Sequence, residues 1–408
     1  MNAFKRAVEV DPKFTRAWLL LGTMYMALGQ SDSALDAFRK AIDSDPKQVV
    51  ARRTYALALA HLRRLDAAMD AWRDAVKIAP GDPRSNAELG SMLVQQMRYG
   101  EALPYLETAA KNDNSPGAQA SLGSAYLLAG EREKAVAAFT KLAEVDPKGD
   151  TFNDVAYQMA NADLKLPLAL DYAKKAVRAA EEESQEITLA DLKVEDLGKI
   201  FKVAAYWDTL GWVDERMSNL EVAEQYLRAS WRLTQDGVVA GHLCHLYKRE
   251  HKDGLAVQMC RMAVYRMPLS EGLALSKYQT EINAAQENLD HLTGGAAKSK
   301  NIGDTSDAVI RERTFKLPRF LPGTESAEFF VLLASDGKSK KFKVEDVKFI
   351  SGSDKMKLQG KQLKSIDFDV PAPSDVPTRF VRRGILGCYQ YSGCSFALLD
   401  PATVHSLN

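Results

Sequence analysis

Cysteine is scarce in this chain, with four among 408 residues, and long apolar runs are missing altogether. Four cysteines, at 244, 260, 388 and 394, are too few and too spread for a disulfide-dense scaffold. No stretch approaches the roughly 20 consecutive apolar residues that a bilayer-spanning helix needs. The first residues also lack the basic, apolar and small-residue succession of a secretion signal, so the chain as written reads as soluble. Net charge is absent too: 54 Lys and Arg balance 54 Asp and Glu, leaving no overall field to draw in nucleic acid or an acidic membrane. That balance hides a split, since residues 294–408 hold 18 basic and 13 acidic residues and the remainder is correspondingly acidic. The catalytic and phosphate-binding patterns HExxH, GxSxG and GxxxxGK are all missing. Ser335-Asp336-Gly337-Lys338 matches S-x-x-K but stands alone in a polar turn. No enzymatic activity and no cofactor is expected.

What the chain does have is a repeat. Residues 15–48 carry Trp18, Leu21, Gly22, Tyr25, Ala34, Phe38, Ala41 and Pro46, and a shift of 34 gives Ala56, Ala68, Trp72, Ala75 and Pro80. The next units show Leu89, Gly90, Ala102 and Leu106, then Leu122, Gly123, Tyr126, Ala135, Phe139 and Pro147, then Ala169, Ala173 and Ala176. Trp207, Leu210, Gly211, Ala223 and Leu227 begin a sixth unit, and Leu243, Tyr247, Ala256, Ala263 and Pro268 mark a seventh. These residues resemble the tetratricopeptide repeat, a helical hairpin that buries its apolar face by stacking on its neighbours. The expected reason for the spacing is close helix crossing, with Gly22, Gly90, Gly123 and Gly211 facing Ala34, Ala102, Ala135 and Ala223. Prolines 46, 80, 147 and 268 should end the second helices. The fold class expected is mainly α, a right-handed superhelix followed by a small α+β domain.

The array is expected over residues 1–292, with full repeats at about 15–183 and 204–270. Phe4, Ala7 and Pro12 match only the second helix of a repeat, so residues 1–14 read either as a half-repeat cap or as the start of a fragment of a longer protein. Residues 184–203 are an insert in which Thr188 and Asp191 would cap a short helix packing on the array, a plain loop being the alternative. Ser270 would cap a last helix, residues 271–292, with a stripe of Ala274, Tyr278, Ile282, Ala285, Leu289 and Leu292. Residues 293–307 read as a linker.

In residues 308–408 the period changes to alternating, giving strands at 311–317, 328–334, 342–350, 379–389 and 395–399, with a helix at 355–365. The run Pro377-Thr378-Arg379 leading to Arg382-Arg383-Gly384-Ile385-Leu386, Cys388 and Cys394 resembles the end of bacterial exported proteins that join a transglutaminase-like region to such repeats. The stretch 205–212 and the insert before it are similar to the same family. That resemblance implies that a catalytic Cys/His/Asp part would lie upstream, and a periplasmic or exported location if this chain is a piece of such a protein; otherwise it would be cytoplasmic. Two strands joined through residues 389–393 would bring Cys388 and Cys394 together in a disulfide, and free thiols in a reducing compartment are the alternative.

The function expected is protein–protein interaction, with a protein or peptide partner of acidic character in a concave groove lined by the first helix of each hairpin. The groove-facing residues are Arg16, Arg53, His61, Arg84, Gln95, Gln158 and Asn161, then Asp208, Trp212, Arg216, His245 and Arg249. Arg16, Arg53 and Arg84 would offer three guanidiniums in a row. The alternative function is the non-catalytic part of the exported transglutaminase-like protein. His242, Cys244, His245, His251 and Cys260 have metal-ligand residue types, but packed cysteines and solvated histidines are expected, with no metal. The lysines from 338 to 364 are interleaved with Glu345, Asp346 and Asp354, so nucleic-acid binding is the weakest reading.

Overall fold

A computed structural model describes residues 1–269, 279–294, 305–318, 324–389 and 393–407. The chain divides into two compact units, Met1–Pro147 and Lys148–Asn408. In the first, α1 (Asn2–Val10) is followed by four hairpins: α2 (Thr15–Ala27) with α3 (Ser31–Ser44), α4 (Val49–His61) with α5 (Leu65–Ile78), α6 (Pro83–Gln95) with α7 (Tyr99–Asn112), and α8 (Pro116–Leu128) with α9 (Arg132–Val145). The apolar side of α1 is covered by α2, where Val8, Ala17 and Leu21 form a buried cluster with Phe4 and Trp18.

The second unit opens with three more hairpins: α10 (Gly149–Asn161) with α11 (Leu166–Ser184), α12 (Val194–Arg216) with α13 (Leu220–Thr234), and α14 (Gly237–Arg249) with α15 (Asp253–Arg266). Pro46, Pro80, Pro147 and Pro268 each stand two residues beyond the end of a second helix. α16 (Gln279–Thr293) buries Ala285 and Leu289 against the seventh hairpin, while Ser270, Ala274 and Tyr278 lie outside the described residues. Most of the expected linker, residues 295–304, also lies outside them, and the sheet-containing part beyond it belongs to the same compact unit.

The hairpins close differently from the expected Gly–Ala pairing. A Cβ on Gly22 would fall 2.5 Å from the Phe38 ring, on Gly90 2.6 Å from Leu106, on Gly123 2.6 Å from Phe139 and on Gly211 2.8 Å from Leu227. The missing side chain therefore makes room for the large residue 16 positions later, while Ala34, Ala102, Ala135 and Ala223 are themselves fully buried.

After α17 (Thr305–Glu312), which occupies the start of the first expected strand, come β1 (Thr314–Leu317), β2 (Glu325–Ser335), β3 (Lys343–Gly352), α18 (Asp354–Gln359), β4 (Thr378–Tyr389) and β5 (Gly393–Leu398). The five strands form one antiparallel sheet in the order β1-β5-β4-β2-β3. One face of it explains the insert. Ile187, Leu189, Leu192 and Leu197 form a buried cluster with Phe330, Leu332 and Val381 of β2 and β4. The insert is thus a sheet-covering loop and an N-terminal extension of α12, in place of a separate helix on the array. Asp196 accepts the Lys193 N–H at 3.0 Å where α12 starts, and Thr188 merely closes a turn on Asp191.

Polar contacts join this sheet to hairpins α10–α15. The buried Arg382 guanidinium donates to the Leu233 carbonyl at 2.8 Å, and Arg379 donates to Ser184 Oγ at 3.1 Å and to the Gln185 carbonyl at 2.9 Å. Asp400 pairs with Arg313 at 2.9 Å and Arg266 at 3.4 Å. Among the nine lysines of residues 338–364, Lys341 pairs with Asp367 and Asp369, Lys355 with Glu325 and Lys364 with Asp346, so part of the positive charge there is met by neighbouring acids.

Candidate partner-binding faces

In the second unit the first helices α10, α12 and α14 lie side by side, and six of the expected groove residues meet there. Trp212 is the centre. Its indole N–H donates to Asn161 Oδ1 at 2.7 Å, and its ring stacks on His242 with centroids 4.3 Å apart and meets His245 edge-on at 5.4 Å. The Arg216 guanidinium lies 5.6 Å from the same ring and is held by Asp163 at 3.0 Å. Gln158 is exposed one turn before Asn161 on α10.

This packing overturns two expectations. Asp208 does not face a groove: it is 6 % exposed, and its Oδ1 lies 2.8 Å from His242 Nδ1. His242, expected in solvent, is itself 6 % exposed and forms part of the wall behind Trp212. His245 and Arg249 do reach the face, but both are committed to the buried Glu215, whose Oε1 lies 3.0 Å from His245 Nδ1; Arg249 also donates to the Glu215 carbonyl at 2.7 Å. Burial pushes the Glu215 carboxyl up, but the hydrogen bonds from His245 and Arg249 outweigh it and hold the group below its ordinary value. The charges of this face are therefore balanced within the protein, leaving a half-buried indole clamped in one orientation.

Sequence reasoning missed Glu215 and the pairing of His242 with Asp208, although a signal was present. Asp208 and His242 are 34 residues apart, as are Glu215 and Arg249. One repeat length places equivalent positions of neighbouring first helices side by side, so complementary charges at that spacing pair.

The first unit differs. Arg16 on α2 and Arg84 on α6 are exposed and make no ion pair among the described residues. Arg53 does not join them: its Nη1 lies 2.9 Å from Asp82 Oδ1. Asp82 caps α6 by accepting the Ser85 N–H at 2.8 Å, so Arg53 serves that helix start. His61 and Gln95 are exposed at the ends of α4 and α6. Ser335, in the S-x-x-K match, accepts the Gly337 N–H at 3.2 Å while Asp336 accepts from Lys338 and Ser339, the hydrogen bonds of a tight turn.

All four cysteines are paired. Cys388 and Cys394 are directly opposite on β4 and β5 and joined by a disulfide, and a second disulfide joins Cys244 on α14 to Cys260 on α15, where packed thiols were expected. Among the described residues no group of His, Cys, Asp and Glu has a metal-binding arrangement.

A tetratricopeptide repeat model matches residues 2–49, 25–83 and 88–150. Those residues carry tetratricopeptide repeats. Such repeats in general bind proteins or peptides on the surface their stacked hairpins create. Solved structures similar in part include YrrB, described as a tetratricopeptide protein with an unusual peptide-binding site, at 22 % identity and a TM-score of 0.37 over 43 % of this chain and 92 % of that one. MamA from Desulfovibrio magneticus RS-1 gives 20 % identity and 0.37 over 43 % of this chain and 98 % of its own. PilW, a type IV pilus biogenesis factor, gives 22 % and 0.36 over 51 % and 92 %. No curated protein matches the sequence.

Proposed function

We propose that the chain is a protein-interaction scaffold that takes an extended segment of a partner protein along the first helices of its repeats. The observation that supports this best is Trp212, a half-buried indole fixed by Asn161, His242 and Arg216, which offers apolar area already ordered before any ligand arrives. Arg16 and Arg84, without ion pairs among the described residues, suit acidic side chains of the bound segment in the first unit. A photo-crosslinking residue placed at Gln158 should trap a partner protein in cells, and Trp212→Ala should abolish the adduct. Equal adducts from Gln158 and from Lys141, an exposed position on the second helix α9, would remove the first-helix face as the binding surface.

A second reading is the non-catalytic part of an exported transglutaminase-like protein, in which the repeats position a substrate or partner. The Cys388–Cys394 disulfide favours it, since such bonds persist in oxidising compartments. Genomic sequence upstream of Met1 decides: an in-frame domain with Cys, His and Asp in catalytic order supports this reading, and an in-frame stop codon close by removes it.

A further inference from the structure

The other disulfide lies at a position that the repeat itself defines. In four hairpins a first-helix glycine faces a large second-helix residue 16 positions on: Gly22 and Phe38, Gly90 and Leu106, Gly123 and Phe139, Gly211 and Leu227. Counting from the same marks, Cys244 takes the glycine place of the seventh hairpin and Cys260 the place of the large residue, again 16 apart. Where one side chain normally reaches across to bare backbone, two equal short ones meet midway. Their Cα atoms are 4.9 Å apart, within the roughly 4.4–6.8 Å that a disulfide spans.

We propose that Cys244 and Cys260 are a site of oxidative cross-linking, at which a protein disulfide donor closes the seventh hairpin covalently while it folds. The two thiols give up two protons and two electrons, a sulfur–sulfur bond forms between them, and the donor's own disulfide is reduced to a dithiol. Both cysteines are fully buried, in one apolar cluster with Leu243, Tyr247, Ala256 and Met259, so no donor reaches them once the hairpin has closed. This makes the bond a permanent structural clamp and separates it from redox sensors, which need an exposed thiol. The clamp also acts on the face described above, because Cys244 stands between His242 and His245 on α14. Its effect there is on the order of α14 itself, which is measurable without any partner.

The test starts with protein isolated from its own cells, denatured in the presence of an alkylating reagent and digested. Mass spectrometry should find the Cys244 and Cys260 peptides linked and unalkylated; two alkylated thiols, or linkage of either cysteine to 388 or 394, overturn the proposal. A double variant, Cys244→Gly with Cys260→Leu, restores the pair that Gly211 and Leu227 form and keeps the chain foldable. Refolding in reductant should lower the melting temperature of the natural protein by roughly 6–12 °C more than that of the variant, as expected for a cross-link closing a loop of this length. Amide exchange in residues 237–249 should quicken in the reduced natural protein alone. Equal shifts and equal exchange in both proteins show that the bond clamps nothing.

Discussion

The Glu181 carboxylate is fully buried and accepts the indole N–H of Trp207 at 2.8 Å through one oxygen, while the other accepts the Ser374 hydroxyl at 2.7 Å. It thereby ties α11, α12 and the segment leading into β4 together. Burial pushes this carboxyl from 4.5 up to about 7, against the lowering effect of the Ser374 and Trp207 hydrogen bonds and with further upward pressure from Asp375 and Glu182. The native state holds this proton more tightly than the unfolded chain does. Its contribution to stability is therefore fully present below pH 4.5 and lost as pH rises through about 7. Glu181→Gln removes the ionisation and leaves the shape, so the stability of the variant relative to the natural protein should rise by about 2–3 kcal/mol between pH 5 and pH 8. Urea unfolding of both proteins at the two pH values measures this. A constant difference between them would mean that Glu181 is ionised throughout.

Gly90 and Gly100 lie one hairpin turn apart and should respond oppositely to the same substitution. A Cβ at Gly90 would meet Leu106 at 2.6 Å and the Ala102 carbonyl oxygen at 3.3 Å, whereas a Cβ at Gly100 meets nothing within 4 Å. Gly90→Ala should destabilise by about 1–3 kcal/mol through overpacking. Gly100→Ala, early in an exposed stretch of α7, should stabilise by about 0.5–1 kcal/mol through helix propensity and reduced freedom of the unfolded chain. Thermal unfolding decides: stabilisation by both substitutions would show that the close approach at Gly90 is relieved by movement of Leu106, and destabilisation by both would overturn the prediction at Gly100.

These two glycines show why some features were legible and others were not. The repeat marks are short-range and recur, so helix pairs, their ends and the alternating strands could be read directly. The partner of each glycine could not, because a small and a large residue of the second helix are both present in these units and only the crossing geometry chooses between them. The insert was misread for a similar reason. Its apolar residues, Ile187, Leu189, Leu192 and Leu197, have the spacing of an amphipathic segment, and nothing local says that they cover a sheet formed more than a hundred residues later. At the Trp212 face the indole was readable from its position, but the neutralisation of Arg216 and Arg249 there, and of Arg53 in the first unit, depends on acids contributed by neighbouring elements.

Arg53 and Asp82 give a further prediction. The Asp82 carboxyl is raised by partial burial but lowered more strongly by Ser85 and Arg53, ending below its ordinary value. Its stabilising effect is present above that ordinary value and is lost as pH falls through the depressed one. Asp82→Ala removes a helix cap as well as the ion pair and should cost about 1–2 kcal/mol at neutral pH. Arg16→Glu with Arg84→Glu should change stability by no more than about 0.5 kcal/mol in either direction, as is typical of surface substitutions. If the pair Arg16 and Arg84 destabilises as much as Asp82→Ala in urea unfolding, those arginines belong to the packing and are unsuited to a ligand.

Limited proteolysis separates connection from cohesion. The stretch over residues 293–307 has the Gly, Ser, Lys and Asp composition of an accessible linker, so trypsin should cut first at Lys298 or Lys300. A composition-based boundary alone would then have the helical array and the sheet part company. Within Lys148–Asn408, however, Arg382 donates to Leu233, Arg379 to Ser184 and Gln185, and Ser374 to Glu181, while the apolar insert covers one sheet face. None of these contacts depends on the peptide bond that trypsin removes. The nicked protein should therefore run as two bands under denaturing electrophoresis and as one undivided peak, at the elution volume of intact protein, in gel filtration. Arg382→Met, which keeps the side chain's length and removes its donors to Leu233 and Leu399, should let the nicked fragments separate. Two peaks from the nicked natural protein would show that the contacts between sheet and hairpins are too weak to hold without the chain that joins them.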